Sequence, residues 1–289
     1  MVLPFRYAFK GRFLFGTRCP SCTLVAIAPQ PTPQEIRDLY AEEYFTECSA
    51  DAGAHGKEAY MDEAAHSVKS RLRAAARLDR LLRAGANKRG KLLEVGCGPG
   101  FLLGELRRLG WDVQGLEISE YAADYARNKL KLHVVVGPIE EQTFPANEFD
   151  AVFMGDVLEH LPEPHRSLAA VATWIRPGGS VAIAVPSTLS LLSAQIGLAM
   201  YGARKRFKTL RIPPYHLFEY TPRTLGAMIE SAGLHVMKIR LSAVPLSKMG
   251  LRGTLVENAG KVTLQILAHA TAAVFNRGGD RLLVIARKP

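Results

Sequence analysis

The chain of 289 residues is poor in cysteine, has two long stretches without a single acid, and contains no apolar run long enough to cross a bilayer. Its four cysteines (Cys19, Cys22, Cys48 and Cys97) give no disulfide framework, and Cys97 sits inside a glycine turn, as suits a reducing cytoplasm. The longest apolar runs, Leu189–Tyr201 and Thr263–Phe275, fall short of the roughly 20 residues a transmembrane helix needs. The start, Met1-Val2-Leu3-Pro4-Phe5-Arg6, lacks the apolar core and cleavage site of a secretory signal, so a cytoplasmic location is expected. Residues 1–34 carry Arg6, Lys10, Arg12 and Arg18 but no acid, and residues 187–212 carry five bases and no acid. With 37 bases against 27 acids the formal charge is +10, which raises nucleic acid or an anionic membrane as partners. No basic–aromatic stacking platform accompanies the charge, so no nucleic-acid partner is expected and a solubilising surface is the plainer reading.

What is present is organised around Leu92-Leu93-Glu94-Val95-Gly96-Cys97-Gly98-Pro99-Gly100. Apolar residues lead into the glycines, and Phe101-Leu102-Leu103 follow at helical spacing, so the run reads as strand, tight turn and helix start. Such a junction brings backbone N–H groups close to a nucleotide-like ligand. A dinucleotide site would have its third glycine one residue later, where Phe101 stands. Trp111–Ile118 reads as the next strand, ending at Glu117, an acid placed to accept hydrogen bonds from both hydroxyls of a ribose. Further strands are expected at Leu132–Val136, Phe149–Met154 and Ser180–Val185, with helices at Tyr121–Leu130 (capped by Ser119) and Ser167–Ile175. A helix is also expected over Met61–Ala84, before a basic turn bracketed by Gly85 and Gly90. Strands and helices alternating at this length predict a parallel sheet covered on both faces.

The glycine run resembles motif I of class I S-adenosylmethionine (SAM) dependent methyltransferases, and Gly155-Asp156-Val157-Leu158-Glu159-His160-Leu161-Pro162 resembles the motif these enzymes carry after their fourth strand. The resemblance implies a Rossmann-like, doubly wound, mostly parallel seven-stranded α/β sheet whose last strand is antiparallel. It implies SAM as cofactor, with Glu94 near its methionine end and Gly96, Cys97, Gly98 and Gly100 forming the turn beneath it. Glu117 and Ile118 would lie along the ribose, Ile139 and Glu140 beside the adenine, and Gly155 and Asp156 near the sulfonium. Pro138 stands where the family usually has an aspartate, so the side-chain bond to the adenine amine is not expected.

Cys19-Pro20-Ser21-Cys22 resembles the second half of a zinc-ribbon-like leader found before some of these domains. The first cysteine pair is absent, and Cys48, His55 or His66 would complete a site only in an unusual arrangement, so no metal is expected. The division expected is a leader over 1–55 and a methyltransferase domain over 56–289 with a lid-like insertion at 187–215. That insertion combines a leucine-rich stretch with Arg204-Lys205-Arg206-Phe207-Lys208, leaving peripheral membrane contact open beside the plainer reading of a solvated helical excursion. Pro214-Tyr215-His216-Leu217-Phe218-Glu219-Tyr220-Thr221-Pro222 resembles a branch whose members modify sugars, lipids and small metabolites. His216 is the first candidate for base or substrate orienter, with His160 second. Asp156, Glu159 and His160 also resemble the divalent-metal cluster of some quinone- and RNA-end-modifying relatives, although this run is common in the wider family without metal. The function expected is methyl transfer to oxygen or nitrogen of a small-molecule, sugar or lipid-like acceptor. The rivals are a non-catalytic SAM-binding scaffold and a nucleic-acid methyltransferase.

Overall fold

The structure, a computed structural model, describes residues 1–41, 44–45, 68–83, 89–243 and 255–289. The expectations for Cys48, His55, His66, the 55/56 boundary, Gly85 and the first residues of the Met61 helix lie outside them.

The chain opens with strands β1 (Val2–Phe9), β2 (Arg12–Arg18) and β3 (Val25–Ala28), all antiparallel. Lys10 and Gly11 both have positive φ (44° and 76°), the backbone a two-residue hairpin needs to match strand twist. The Cys19–Cys22 segment forms the next turn, where Cys19 N–H donates to Leu24 O and Thr23 N–H to Cys19 O. Helix α1 (Pro33–Leu39) begins with Thr32 and Glu35 exchanging bonds as a capping box. Leu14, Ile27 and Ile36 are buried among these elements together with Leu217 from far along the chain.

Helix α2 (Val68–Arg83) leads into the large sheet, built from β4 (Lys91–Val95), β5 (Asp112–Glu117), β6 (Val134–Val136), β7 (Phe149–Gly155) and β8 (Ile175–Pro186). Between them run α3 (Phe101–Arg108), α4 (Glu120–Asn128) and α5 (Pro164–Trp174). After β8 come α6 (Leu192–Ala203), the short strands β9 (Lys208–Leu210) and β10 (Phe218–Glu219), and α7 (Pro222–Ser231). Strand β11 (His235–Ser242), helix α8 (Leu255–Phe275) and strand β12 (Arg281–Arg287) close the described chain. The sheet order is β11-β12-β8-β7-β4-β5-β6, and β12 runs antiparallel to both neighbours while β4 to β8 are parallel. This is the expected doubly wound architecture with an antiparallel last strand.

Successive residues of the central strands face opposite sides, as pleating requires. Leu93, Val152 and Val181 pack with Leu168, Val171, Leu225 and Ile229 on one face. Leu92, Ala151 and Ala182 pack with Leu78, Leu82, Leu103 and Leu106 on the other. Both faces are therefore covered, which is why the strands read as continuous apolar runs rather than alternating ones.

Two local expectations change. Strand β8 begins at Ile175, five residues before Ser180, because Ile175 already pairs with Phe149 and a register shift absorbs the glycines. Ser119 does occupy the N-cap of α4, but its side chain makes no capping bond. The sequence reading also contained no strands at residues 2–28. They form, and β9 pairs parallel with β1 while β10 pairs antiparallel with β3, so a second, five-stranded sheet unites the first residues with the segment after β8.

Candidate active site

The carboxyl ends of β4, β5 and β7 lie on one rim, where the chain winds away from β4 in both directions. Open α/β sheets hold ligands at such a point. Past β4 the backbone folds back, with Gly96 N–H (2.7 Å) and Cys97 N–H (3.2 Å) donating to Leu116 O. Gly98 has φ 51°, and a Cβ there would meet nothing within 4 Å, so its face is open to a ligand. A Cβ on Gly96 would instead sit 2.3 Å from Val157 Cγ2, so that glycine serves packing. Gly100, with φ 80°, is the N-cap of α3.

Glu117 sits at the end of β5, buried, its Oε2 accepting from Gly98 N–H (2.7 Å) and its Oε1 from Ser119 N–H (3.0 Å). Glu117 thus accepts from the backbone N–H of the N-cap residue itself, the place a capping-box acid would otherwise take from inside the helix. Burial raises the Glu117 pKa against the pull of these backbone donors. Glu94 is buried beside it, and its Oε2 has no hydrogen-bond partner. Burial first, then the Glu117 charge, push Glu94 up to about 8. Cys97 is buried and Ile118 half-buried on the same rim. Ile139 is buried in a short 3-10 turn, while Glu140 is exposed and accepts a bond from Ser167 Oγ of α5 (3.2 Å), away from the rim residues just named.

The other half of the site forms after β7. Gly155 ends the strand, and Asp156 takes up a positive φ of 54°, with its N–H bound to Ala184 O (2.8 Å). Its carboxylate is clasped by Arg281 of β12 at 2.6 Å. Three residues later Glu159 is fully buried, with neither carboxylate oxygen hydrogen-bonded among the described residues. Its Oε1 lies 3.5 Å from His160 Nε2, and His216 comes in from the other side, with the two imidazole rings 5.0 Å apart. Leu217 N–H, bonded to Glu159 O (2.8 Å), holds the His216 segment in place.

Glu159, His160 and His216 offer ligand atoms within 4.8 Å of one another, the one such group among the described residues. The cluster of Asp156, Glu159 and His160 weighed from sequence is thereby corrected: Asp156 is taken by Arg281 and His216 replaces it. Cys19 and Cys22 belong to no such group.

Protonation differs sharply within this trio. Burial, then repulsion from Asp156, raise Glu159 to about 8. Burial, then the neighbouring His216, lower His160 to about 4, so its ring is neutral. Its Nδ1 is 2.7 Å from Tyr215 O and must carry the proton to donate there, leaving a lone pair on Nε2. Burial also pulls His216 down, but Glu219 (3.7 Å from Nδ1), Glu159 and Asp156 outweigh it and leave its pKa above the ordinary value.

Around these histidines stand aromatic rings the sequence reading assigned no role. Tyr40 lies 5.9 Å from His160 and 6.1 Å from Tyr215, and Tyr44 lies 5.3 Å from Tyr215. Strand β10 carries Glu219 and is fastened to β3, which sets these leader aromatics and the His216 segment side by side. The dense Tyr40–Phe45 aromatic run was the one available signal.

A family model for a methyltransferase domain matches residues 65–239. The chain belongs to that methyltransferase family. The ubiquinone biosynthesis O-methyltransferase of Bordetella avium is 32% identical over 167 residues, covering 54% of this chain and 67% of that protein. Its counterpart from Xanthomonas axonopodis is 31% identical over 153 residues, covering 50% of this chain and 63% of its own length. A SAM-dependent methyltransferase structure from Archaeoglobus fulgidus superposes with a TM-score of 0.52 at 22% identity, covering 76% of this chain and 95% of that one, a likeness of fold alone. This chain is thus a SAM-dependent methyltransferase, and SAM is its cofactor. No helix among the described residues is long and apolar enough to cross a membrane.

Proposed function

We propose that this methyltransferase modifies a hydroxyl group on a small, ring-bearing acceptor. The observation that carries the reading is the trio of Glu159, His160 and His216 under a cover of tyrosines, with two imidazoles whose protonation is set apart by their surroundings. The curated relatives named as O-methyltransferases support oxygen as the atom modified.

SAM, when bound, supplies a methyl group activated by its sulfonium. The residues present fit it: the open face at Gly98, the unpartnered Glu94 oxygen and the two spare lone-pair positions of Glu117 meet an amino group, a ribose and a backbone that must come close. Glu94, Cys97, Gly98 and Gly100 would hold its amino-acid end, Glu117 and Ile118 the ribose, Ile139 the adenine, and Gly155 the approach to the sulfur, while Gly96, packed against Val157, shapes the turn beneath it. Glu140 and Asp156, whose carboxylates Ser167 and Arg281 engage, would approach it less directly.

His216 accepts the acceptor's proton at Nε2, with Nδ1 facing Glu219. A base with a pKa slightly above its ordinary value is well matched to a neutral medium. His160, neutral and fixed by the Tyr215 carbonyl, is a positioning residue for that ring. Tyr40, Tyr44 and Tyr215 exclude water and pack on the acceptor.

The test is a panel of phenols, catechols, sugars and amines assayed for SAM-dependent methylation. Turnover restricted to hydroxyl-bearing rings supports the reading, and turnover of amines alone removes it. SAM binding by calorimetry with no turnover on any of them leaves a scaffold. The same trio favours a second reading, a first-row divalent ion held by one carboxylate and two imidazoles. Metal retained through gel filtration, and lost with His216→Ala, would support it; none retained would remove it.

A further inference from the structure

The segment between β8 and β10 has a feature that methyl transfer does not use. Helix α6 contains no charged residue in its 12 positions. Ile196, Ala199, Met200 and Ala203 recur on one side of it and are exposed, Ile196 at 46% and Met200 at 49%. An uncharged, largely apolar helix is ordinarily buried, yet among the described residues the main neighbours of this one are β1, α8 and the Thr188–Ser190 turn, and they leave that side open. Neighbouring α8 continues the pattern, with exposed Ile266, Leu267, Ala270 and Val274 at helical spacing and no charged residue from Thr263 to Phe275.

The apolar helix is bordered by charge of one sign. Lys205 takes a left-handed φ of 50°, its N–H donating to Gly202 O, while Arg206 N–H reaches back to Tyr201 O. That pair of bonds is a Schellman stop, and it fixes the basic turn against the helix end. Arg204, Lys205, Arg206, Lys208 and Arg211 are all exposed, and residues 187–212 hold no acid to pair with them.

We propose that α6 and its basic turn, extended by the exposed stripe of α8, form a docking surface for an anionic lipid bilayer. Twelve residues rise about 18 Å, too short to span, so α6 lies in the headgroup plane with its apolar side inward. The basic residues meet lipid phosphates, and anionic lipid raises their occupancy. A second copy of the chain is the poorer occupant, since a twofold contact through this face would bring two clusters of like charge into one interface, with no acid in residues 187–212 to meet them. The inference is independent of the acceptor proposed above.

The experiment is co-sedimentation of the full chain with phosphatidylcholine vesicles, with and without phosphatidylglycerol. Binding to the anionic vesicles should exceed binding to neutral ones at least tenfold and fall steeply with salt. The triple variant Arg204→Glu, Arg206→Glu, Lys208→Glu should lose that preference, and Met200→Glu should weaken binding to both, with SAM affinity by calorimetry unchanged as the control for folding. Equal sedimentation with either vesicle, or a triple variant that binds as the parent does, overturns the proposal. So does concentration-dependent self-association that Met200→Glu abolishes in a chain that binds no vesicle.

Discussion

The two halves of the active site are built in opposite ways. The donor half comes mainly from one uninterrupted stretch, β4 to β5, in which the turn, the helix start and both acids lie within Glu94–Ser119, with Ile139 and Gly155 proposed to complete it. The acceptor half is assembled from four separated segments: the residues after α1, the turn after β7, the loop before β10 and Arg281 of β12. A local half has its geometry dictated by backbone spacing, so it serves any acceptor. A composite half can vary one segment at a time, and acceptor choice belongs there.

The division can be broken by experiment. His216→Ala should cost the most, lowering kcat roughly a hundred- to ten-thousandfold, the range of a lost general base. SAM affinity should stay within twofold, and parallel losses in both would show that the halves are not separable. In its company, Glu219→Gln removes a charge that favours protonated His216, so the acid limb of the pH–rate profile should move to lower pH. An unmoved limb would separate Glu219 from the base.

Glu117→Ala should have the next largest effect, this time on the donor side. Two charge-assisted bonds, taken at the lower end of their range at about 1.5 kcal/mol each, correspond to a loss of SAM affinity on the order of a hundredfold. An unchanged dissociation constant would place the ribose elsewhere.

The smallest effect is one of stability. Glu94 is held at about 8 when folded, above its unfolded value, so its favourable share is complete below the unfolded pKa and is lost as pH rises through about 8. Glu94→Gln should therefore raise the melting temperature of SAM-free protein more in mildly alkaline than in acidic buffer. A uniform shift would mean that packing, and not charge, sets the penalty.

This contrast also explains what could be read from the residues. Spacing alone picks out Gly96, Gly98, Gly100 and Glu117, which the fold brings together at the end of β4 and β5, and the large sheet follows from apolar runs between turns. The five-stranded sheet could not be read so directly, because β9 and β10 are three and two residues long and gain their strand character only from partners some 200 residues away. Ser119 has the residue type and position of a cap, and it occupies that position, but residue type alone does not say where its hydroxyl will point. His216 was legible as a candidate, but Glu219 and the tyrosines that shape its chemistry were not, because their proximity depends on that second sheet.

The second sheet also bears on how this protein can be cut. A fragment trimmed to residues 65–239, the region matched by the family model, keeps β9 and β10 but discards β1 and β3, the strands they pair with. It also loses β12, which joins β8 to β11, so unpaired strand edges of both sheets would face solvent, inviting aggregation in a piece that still carries every donor-side residue.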